Sequence, residues 1–407
     1  MSATAVITGM GVLAPTGLGA ASHWSSTLAG QAAIGPVKSF DAGRYPSRLA
    51  GEIDGFDARE QGIPSRLLPQ TDPMTRLALV AAEWAIEDAG VDPAALPEYG
   101  IGVVTASSAG GFAFGHRELH NLWSKGPEHV SAYQSFAWFY AVNTGQISIR
   151  HGLRGPGGVV VTEQAGGLDA LAKARRQLRD DDVRMVVAGG VDGSLSPWGW
   201  VAQLASGRIS TVADPERAYL PFDPAACGHV PGEGGAMFVL ESAKAARARG
   251  VRSWYGEIAG YAATFDPPPG SGRPANLRRA AELALGEADL DPADIDVVFA
   301  DAAGVPELDR AEAEAIGAVF GPHGVPVTAP KTMTGRLSAG GAALDLATAV
   351  LSIRDSVIPP TANVRLPVPD YGIDLVRTPR ETPVSAALVL ARGQGGFNAA
   401  AVVTRQR

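Results

Sequence analysis

Residues 79–94 read LVAAEWAIEDAGVDPA, and residues 278–293 read RRAAELALGEADLDPA. The two stretches share Ala-Ala-Glu, two further alanines and a closing Asp-Pro-Ala, all in register. Each has the composition of an Ala-rich helix, and each is followed closely by a short apolar run, GVV at 102–104 and VVF at 297–299. Ala-rich helices resemble one another by composition alone, but this register persists through the terminating Asp-Pro. The repeat therefore predicts a duplicated fold whose two halves share one strand-and-helix plan.

The same alternation of short apolar runs and Ala-rich segments continues along the whole chain. Strands that are covered by helices on both faces have this continuous apolar character, so the pattern predicts an α/β fold. A second, shorter internal repeat pairs Ala165-Gly166-Gly167 with Ala339-Gly340-Gly341, and each triplet lies where a small-residue turn leads into a helix. We predict strands at residues 5–8, 102–106, 159–162, 185–188, 236–240, 297–300, 326–329, 386–391 and 400–403. Helices are predicted at residues 74–89, 139–150, 167–179, 275–288, 309–320 and 344–355.

Composition excludes several classes of function. The 407 residues are 46% hydrophobic, enough for a sizeable core, and 34 basic against 42 acidic side chains give a net charge of −8. A net negative chain is a poor match for the phosphate backbone, so we expect no nucleic-acid partner. Cys227 is the single cysteine, which excludes disulfide frameworks and multi-thiolate metal sites.

Membrane, metal and cofactor signals are equally weak. The first residues lack a basic and apolar leader and no apolar run is long enough for a bilayer, so we expect a cytoplasmic protein without a membrane partner. His116 and His120 are spaced i, i+4 without a third ligand, so a solvated helix face is favoured over a metal site. The glycines of GMG at 9–11 imitate a dinucleotide fingerprint, but Pro15 and Gly17 interrupt the required helix. No cofactor is expected.

The segment VVVTEQAGG at 159–167 has the form of a strand that passes through a sharp turn into a small-residue helix. In other α/β enzymes this geometry presents a nucleophile at a helix N-terminus. Here the turn carries Gln164, whose amide cannot be acylated but can donate hydrogen bonds to a developing oxyanion. A tight turn without chemistry is the alternative.

Two further motifs are ambiguous. Cys227 and His229 are two residues apart, so a thiol–imidazole pair of the hydrolase type is one interpretation, and a glycine-rich structural loop is the other. Phe112, Gly115 and Leu119 are spaced i, i+3, i+7 and share one helical face. Because glycine inside a helix costs about 1 kcal/mol relative to alanine, Gly115 marks the helix start or leaves room for another group.

Five stretches, taken in order, form a pattern: AVITGMGVLAPTG at 5–17, PFD at 221–223, GEGG at 232–235, KTMTG at 331–335 and GGFN at 395–398. Together they resemble the β-ketoacyl synthases of the thiolase fold. The resemblance implies a duplicated five-layer α-β-α-β-α fold, divided into halves at 1–250 and 251–407, that works as a dimer.

The positions at which this sequence departs from that family indicate a particular branch of it, which the matching stretches do not. A condensing synthase needs a cysteine at the sharp turn between strand and helix, called the elbow below, to hold the acyl chain. It also needs two histidines to stabilise an enolate. The resemblance aligns Gln164 with the cysteine, Ala303 with the first histidine and Arg336 with the second, while Lys331 is retained. The three losses together resemble one branch, the chain-length factors or ketosynthase β-subunits of bacterial type II aromatic polyketide synthases.

This branch implies a partner subunit without condensing activity of its own. It implies a heterodimer with a catalytic ketosynthase α subunit, an acyl carrier protein, malonyl and polyketide thioesters, and a tunnel that crosses the dimer interface. The family's tunnel-lining helix falls on Phe112, Gly115 and Leu119, which we expect to form a wall that limits chain length. The small Gly115 and the medium-sized Leu119 suggest a roomy cavity and a long product.

Alternatives remain open for Gln164 and for the chain as a whole. Gln164 either binds a malonyl thioester and assists decarboxylation for priming, or fills the space of the lost thiol. A free-standing malonyl-thioester decarboxylase is the second reading of the chain, and the Cys227–His229 hydrolase is the third. The segment from Lys173 to Arg179 is the one dense basic candidate for carrier-protein docking.

Overall fold

The computed structural model describes residues 4–108, 110–179, 183–268 and 270–406. Its strands are β1 (Ala5–Ala14), β2 (Gly17–Leu18), β3 (Ile34–Pro36), β4 (Leu49–Gly51), β5 (Ile101–Ala106), β6 (Gly157–Val160), β7 (Met185–Asp192), β8 (Gly234–Ser242), β9 (Gly256–Phe265), β10 (Val297–Phe299), β11 (Pro326–Thr328), β12 (Val357–Ile358), β13 (Asp374–Leu375), β14 (Arg380–Glu381), β15 (Ala386–Gly393) and β16 (Phe397–Thr404). Its helices are α1 (Ala20–Leu28), α2 (Pro73–Asp88), α3 (Phe112–Lys125), α4 (Gln134–Ala137), α5 (Val142–His151), α6 (Gly166–Arg179), α7 (Pro197–Leu204), α8 (Ala243–Ala248), α9 (Leu277–Ala288), α10 (Pro306–Phe320) and α11 (Gly341–Asp355).

The strand order repeats between the two halves of the chain. The N-terminal strands lie in the order β6-β5-β7-β8-β1 and the C-terminal strands in the order β11-β10-β15-β16-β9. Ranked along the chain, both orders read 3-2-4-5-1, and strand directions match as well, with parallel pairs on one side and antiparallel pairs on the other. The two halves join where β1 pairs antiparallel with β9. The predicted duplication is confirmed.

Three hydrophobic cores produce the layers. In the N-terminal half, alternate residues of a strand face opposite ways, so Val103 packs with α2 whereas Val104 packs with α6 and α11. In the C-terminal half, Val298 packs with α9 and α10 whereas Val297 faces α11. The layers are therefore outer helices, sheet, the central pair α6 and α11, sheet, and outer helices. This is the predicted α-β-α-β-α arrangement.

The sequence repeat reappears as a repeated contact. A Cβ atom added to Gly9 of β1 would lie 2.2 Å from the Ala85 carbonyl oxygen, and one added to Gly260 of β9 would lie 2.1 Å from the Ala284 carbonyl oxygen. Ala85 and Ala284 are equivalent positions of the two repeated segments. Each outer helix thus approaches the first strand of its half so closely that only glycine fits there.

Some predicted elements differ from the observed ones. Strand β9 was not predicted, because Gly256, Glu257 and Gly260 interrupt its apolar run. The strand predicted at 159–162 is displaced and ends at Val160, since the chain there already turns into the elbow. The division of the chain at 250/251 falls between α8 and β9 and stays a prediction. No helix in the described ranges is both long and apolar enough to span a membrane.

Candidate functional site

Two equivalent elbows meet at the centre of the molecule. Gln164 lies where the chain turns from β6 into α6, and Ala339 lies at the corresponding turn into α11. The residues just before them, Glu163 and Ser338, have left-handed φ values of 51° and 49°. A non-glycine residue adopts this conformation only where the surrounding structure imposes it. The sharp turn predicted at Gln164 is therefore present, and it is present twice.

Gln164 is held at both ends of its side-chain amide. The side chain is 4% exposed. In the amide orientation that satisfies both neighbours, Nε2 donates to the Ser338 carbonyl oxygen at 2.7 Å and Oε1 accepts from Arg336 Nε at 2.9 Å. A Cβ atom on Gly341 would lie 2.2 Å from this amide, so glycine at the start of α11 makes the fit possible. The Gln164 side chain is thus buried in the elbow and hydrogen-bonded at both its nitrogen and its oxygen.

Arg336 uses every donor of its guanidinium within the protein. Nη1 donates to the Asp301 carbonyl oxygen at 2.7 Å and to Asp301 Oδ2 at 3.3 Å. Nη2 donates to Asp301 Oδ1 at 2.9 Å and to the Arg392 carbonyl oxygen at 3.3 Å. Together with the Nε bond to Gln164, all five N–H groups have acceptors. Arg336 therefore has no donor left for a ligand in this arrangement.

Buried charges around Arg336 alternate in sign. Asp301 also accepts from the Arg392 backbone N–H at 2.9 Å, Arg392 contacts Glu312 at 3.1 Å, and Lys331 contacts Asp345 at 2.7 Å. Burial alone would raise the pKa of Asp301, but Arg336 and Arg392 outweigh it and hold this pKa well below its usual range. Burial alone would lower the pKa of Arg336, but the nearby Asp301 carboxylate outweighs burial and raises this pKa. The family resemblance pointed to Arg336 and Lys331, whereas no sequence signal marked Asp301, Glu312 or Asp345.

Ala303 lies on the buried loop that follows β10, where a methyl group offers no hydrogen bond. Glu312 holds this loop by accepting from the backbone N–H groups of Asp301 and Ala302 at 2.7 and 2.8 Å. The structure therefore brings Gln164, Lys331, Arg336 and the loop of Ala303 together, as the resemblance implied. It places a closed network of charges there instead of a thiol and two imidazoles.

Arg336 borders both the cavity in front of the elbow and a small void beside Gln164. A cavity of about 300 Å³ is lined by Phe112, Ala303 and Arg336 among others, but Gln164 does not line it. Gln164 borders a separate void of about 10 Å³, together with Lys331 and again Arg336. The larger cavity therefore reaches Glu163 and Ser338 beside Gln164, but not Gln164 itself.

The predicted wall residues lie on α3, beside Trp198 and Trp138. The rings of Phe112 and Trp198 have centroids 4.7 Å apart. A Cβ atom on Gly115 would lie 3.0 Å from Trp198 Cζ3 and 3.5 Å from Trp138 Cβ. Gly115 is in the first turn of α3 and also leaves room for Trp198, so both alternatives raised for it hold. Leu119 follows one turn later and is 37% exposed.

An apolar face, defined here as Leu119, Trp123, Trp138, Trp198 and Val201, is open to solvent. Its exposed fractions reach 84% at Trp123 and are 42% at Trp138, 40% at Trp198 and 51% at Val201. Strand β6 is another open feature, because within the described part of the chain it ends the sheet and pairs only with β5. Large exposed apolar patches and open strand edges mark surfaces that another chain covers.

The Cys227–His229 pair does not form a catalytic dyad. Cys227 is exposed, and its Sγ lies 3.3 Å from Ser210 Oγ. His229 lines the 300 Å³ cavity instead, where burial and the nearby Arg336 lower its pKa to about 3. No hydrogen bond in the described residues joins the thiol to the imidazole. The loop interpretation agrees with this geometry.

The basic segment on α6 is less charged than its sequence suggests. Arg175 and Arg179 contact Glu287 at 2.7 and 2.8 Å, and Arg175 is largely buried. Glu287 therefore neutralises part of the segment and ties α6 to α9. The segment is a weaker candidate for docking an acidic partner than it was from sequence.

Comparison with known proteins agrees with the site. The beta-ketoacyl synthase N-terminal domain matches residues 3–246, and the C-terminal domain matches residues 255–365. The chain is 63% identical over 401 residues to the actinorhodin polyketide putative beta-ketoacyl synthase 2 of Streptomyces coelicolor, covering 98% of each chain. It is 61% identical over 408 residues to the tetracenomycin polyketide synthase ketoacyl synthase beta subunit of Streptomyces glaucescens, covering 100% of each.

Solved structures show the same architecture. One is a type II polyketide synthase acyl-carrier protein in complex with its ketosynthase bound to the hexaketide (AntDE:AntF), with a TM-score of 0.89 and 26% identity over 100% of both chains. The ishigamide ketosynthase/chain length factor gives the same TM-score of 0.89, 26% identity and 100% coverage of both chains. The chain belongs to the beta-ketoacyl synthase family and, within it, to the ketosynthase beta subunits of type II polyketide synthases.

Proposed function

We propose that this chain is the non-condensing subunit of a heterodimeric minimal type II polyketide synthase and sets the length of an aromatic polyketide. The observation that carries the proposal is the elbow, where Gln164 replaces a nucleophile and is held by Arg336 and Ser338. Carbon–carbon bonds form in the catalytic ketosynthase α subunit, which receives malonyl units from an acyl carrier protein in the cytoplasm. Relatives named as beta subunits and a solved carrier-protein complex support this assignment.

The catalytic subunit covers the apolar face and the open edge of β6 in this proposal. Leaving Trp123 and Trp198 in water is unfavourable, and burying apolar area gains about 25 cal/mol per Å². The backbone groups along β6 offer a row of donors and acceptors to a strand of the partner. These two features explain why a chain without a nucleophile keeps a complete synthase fold.

The chain-length wall lies on this same surface. Phe112 borders the 300 Å³ cavity, whereas Gly115 and Leu119 lie toward the apolar face that the partner would cover. A growing polyketide between the two subunits would therefore run along α3. Side chains on this helix would take up the space that the last ketide units need.

Replacing Gly115 with phenylalanine is expected to shorten the product by one or more ketide units. The new side chain cannot share the space of the Trp198 ring, which is 3.0 Å from the Cβ position, so bulk is added along the wall. The chain is co-expressed with its cognate ketosynthase and carrier protein, and product masses are compared with those of the wild type.

Gly286→Phe is the matched control for this test. Gly286 is also a helical glycine, on the outer helix α9, and no atom of the described residues lies within 4 Å of its Cβ position. This variant should make the wild-type product. A Gly115→Phe heterodimer that assembles and still makes a product of unchanged length would remove the wall from the proposal.

A free-standing malonyl decarboxylase is the second candidate function. Among the described residues, one amide proton of Gln164 has no acceptor, and the side chain lies at the N-terminal end of α6, which suits a developing negative charge. However, Gln164 does not line the cavity, and Arg336, which borders both the cavity and the void beside Gln164, would have to leave five acceptors to admit a thioester. We therefore assign Gln164 the space-filling role, and the reactivity of a cysteine at this position tests it directly.

A further inference from the structure

Helix α3 does not cap its own N-terminus. The residue before it, Gly111, has no side chain that could accept from the first N–H groups. Instead, the Phe114 N–H donates to Asp72 Oδ2 at 2.8 Å, across 42 positions of sequence. Phe114 is the third residue of the helix, which is the position that an N-cap side chain normally satisfies.

The same carboxylate also caps α2. Asp72 Oδ1 accepts from the Met74 N–H at 3.0 Å, so one side chain satisfies the N-termini of two helices. Asp72 is 2% exposed, and burial raises its pKa to about 6 although both helix N–H groups favour the charged form. A serine would cap α2 at a smaller desolvation cost. The second oxygen is needed only for α3.

The approach of α3 to Asp72 is close and depends on glycine. A Cβ atom on Gly111 would lie 2.9 Å from Asp72 Cβ and 2.4 Å from the Ala137 carbonyl oxygen. Arg76, the nearest cation in sequence, donates instead to backbone oxygens of Leu68 and Thr71. Both oxygens of the Asp72 carboxylate therefore accept from helix N-termini. These two hydrogen bonds fix the start of α3 relative to the start of α2.

We propose that Asp72 is a positioning residue for product length, because it sets the depth at which the wall of Phe112, Gly115 and Leu119 stands. The residue that it anchors, Phe114, lies between the first two members of that wall. The inference rests on the proposed function and adds a residue that has no contact with the polyketide. Without this anchor, the first turn of α3 can shift, and the space along the wall is no longer the same in every molecule.

The test is Asp72→Ser in the co-expressed heterodimer. Serine keeps a cap for α2 but has no second oxygen for the Phe114 N–H. We expect products of more than one length where the wild type makes one main product, and faster amide hydrogen exchange in a peptide covering residues 112–119. Asp92→Ser is the control, because Asp92 caps an exposed turn through the Ala94 N–H at 3.0 Å. It should change neither readout.

The two readouts separate positioning from general damage. Faster exchange in α3 with an unchanged product distribution would overturn the proposal, and so would unchanged exchange. If Asp72→Ser does not assemble, Asp72→Asn has nearly the same shape, presents an NH₂ group to one of the two helices, and is judged by the same outcomes. If Gly115→Phe also leaves chain length unchanged, the wall on α3 itself is refuted, whereas a shift with Gly115→Phe alone refutes only the role of Asp72.

Discussion

Asp301→Asn is expected to lower the free energy of unfolding by about 3–5 kcal/mol, the usual cost of removing one partner from a buried ion pair. The guanidinium of Arg336 would lose its counter-charge while remaining 8% exposed, and Arg392 would lose the same partner. Urea denaturation of the purified heterodimer at pH 7 and fixed concentration measures the change.

The pH dependence of this effect has a defined sign. Because the pKa of Asp301 is held well below its usual range, the carboxylate stabilises the fold at every pH above its unfolded pKa of about 3.9. The difference between wild type and Asp301→Asn should therefore be constant from about pH 5 to 8 and shrink as the pH falls below about 4.

Asp54→Asn is the matched control, because Asp54 pairs with Lys38 at 2.8 Å while both side chains are mostly exposed. Surface pairs contribute at most about 1 kcal/mol. Equal losses for the two variants would contradict the assignment of Asp301 as the centre of the buried network.

A cysteine placed at position 164 is expected to react slowly with iodoacetamide in the native protein. Gln164 is 4% exposed and does not line the larger cavity, so labelling would require a local opening of the elbow. Each ~1.4 kcal/mol of opening free energy slows the reaction about tenfold. The variant is made in a Cys227→Ser background, where it is the single cysteine of the chain.

Adding Arg336→His should accelerate the labelling, because Arg336 borders both the cavity and the void beside Gln164, and the shorter imidazole would fill less of that space. The exposed Cys227 of the unmodified chain serves as the fast reference. Native labelling of Gln164→Cys at the rate of Cys227 would contradict the closed elbow and revive the priming role of Gln164. A double variant no faster than the single one would show that Arg336 is not the barrier.

The fold was predictable wherever local pattern and tertiary role agree. Helices α2 and α9 were found because their alanine spacing reflects the close contact with β1 and β9. Strand β9 was missed because its own sequence carries Gly256, Glu257 and Gly260, and its strand conformation comes from pairing with β1 and β16 on either side. That pairing is non-local and leaves no periodic trace in the sequence.

The sequence could show which catalytic residues are missing from the site, but not the network of buried charges that replaces them. Gln164, Ala303 and Arg336 could be aligned with a missing thiol and two missing imidazoles. That Arg336 binds Asp301, and through its Nε also Gln164, depends on three segments that meet only in the folded chain. The double cap by Asp72 was hidden for the same reason, since a lone Asp before Pro73 indicates a cap for α2 and nothing more.

The open edge of β6 has a consequence for how the cell must make this protein. The strand starts with Gly157 and Gly158, which carry no side chains to obstruct a foreign strand, and Lys173 Nζ lies 2.2 Å from where a Cβ on Gly158 would be. A lysine over an edge strand discourages misassembly but does not abolish it. Chains made in excess of the catalytic subunit would therefore aggregate with one another through this edge. The two polypeptides must be made in matched amounts to prevent this aggregation, independently of their need for each other in catalysis.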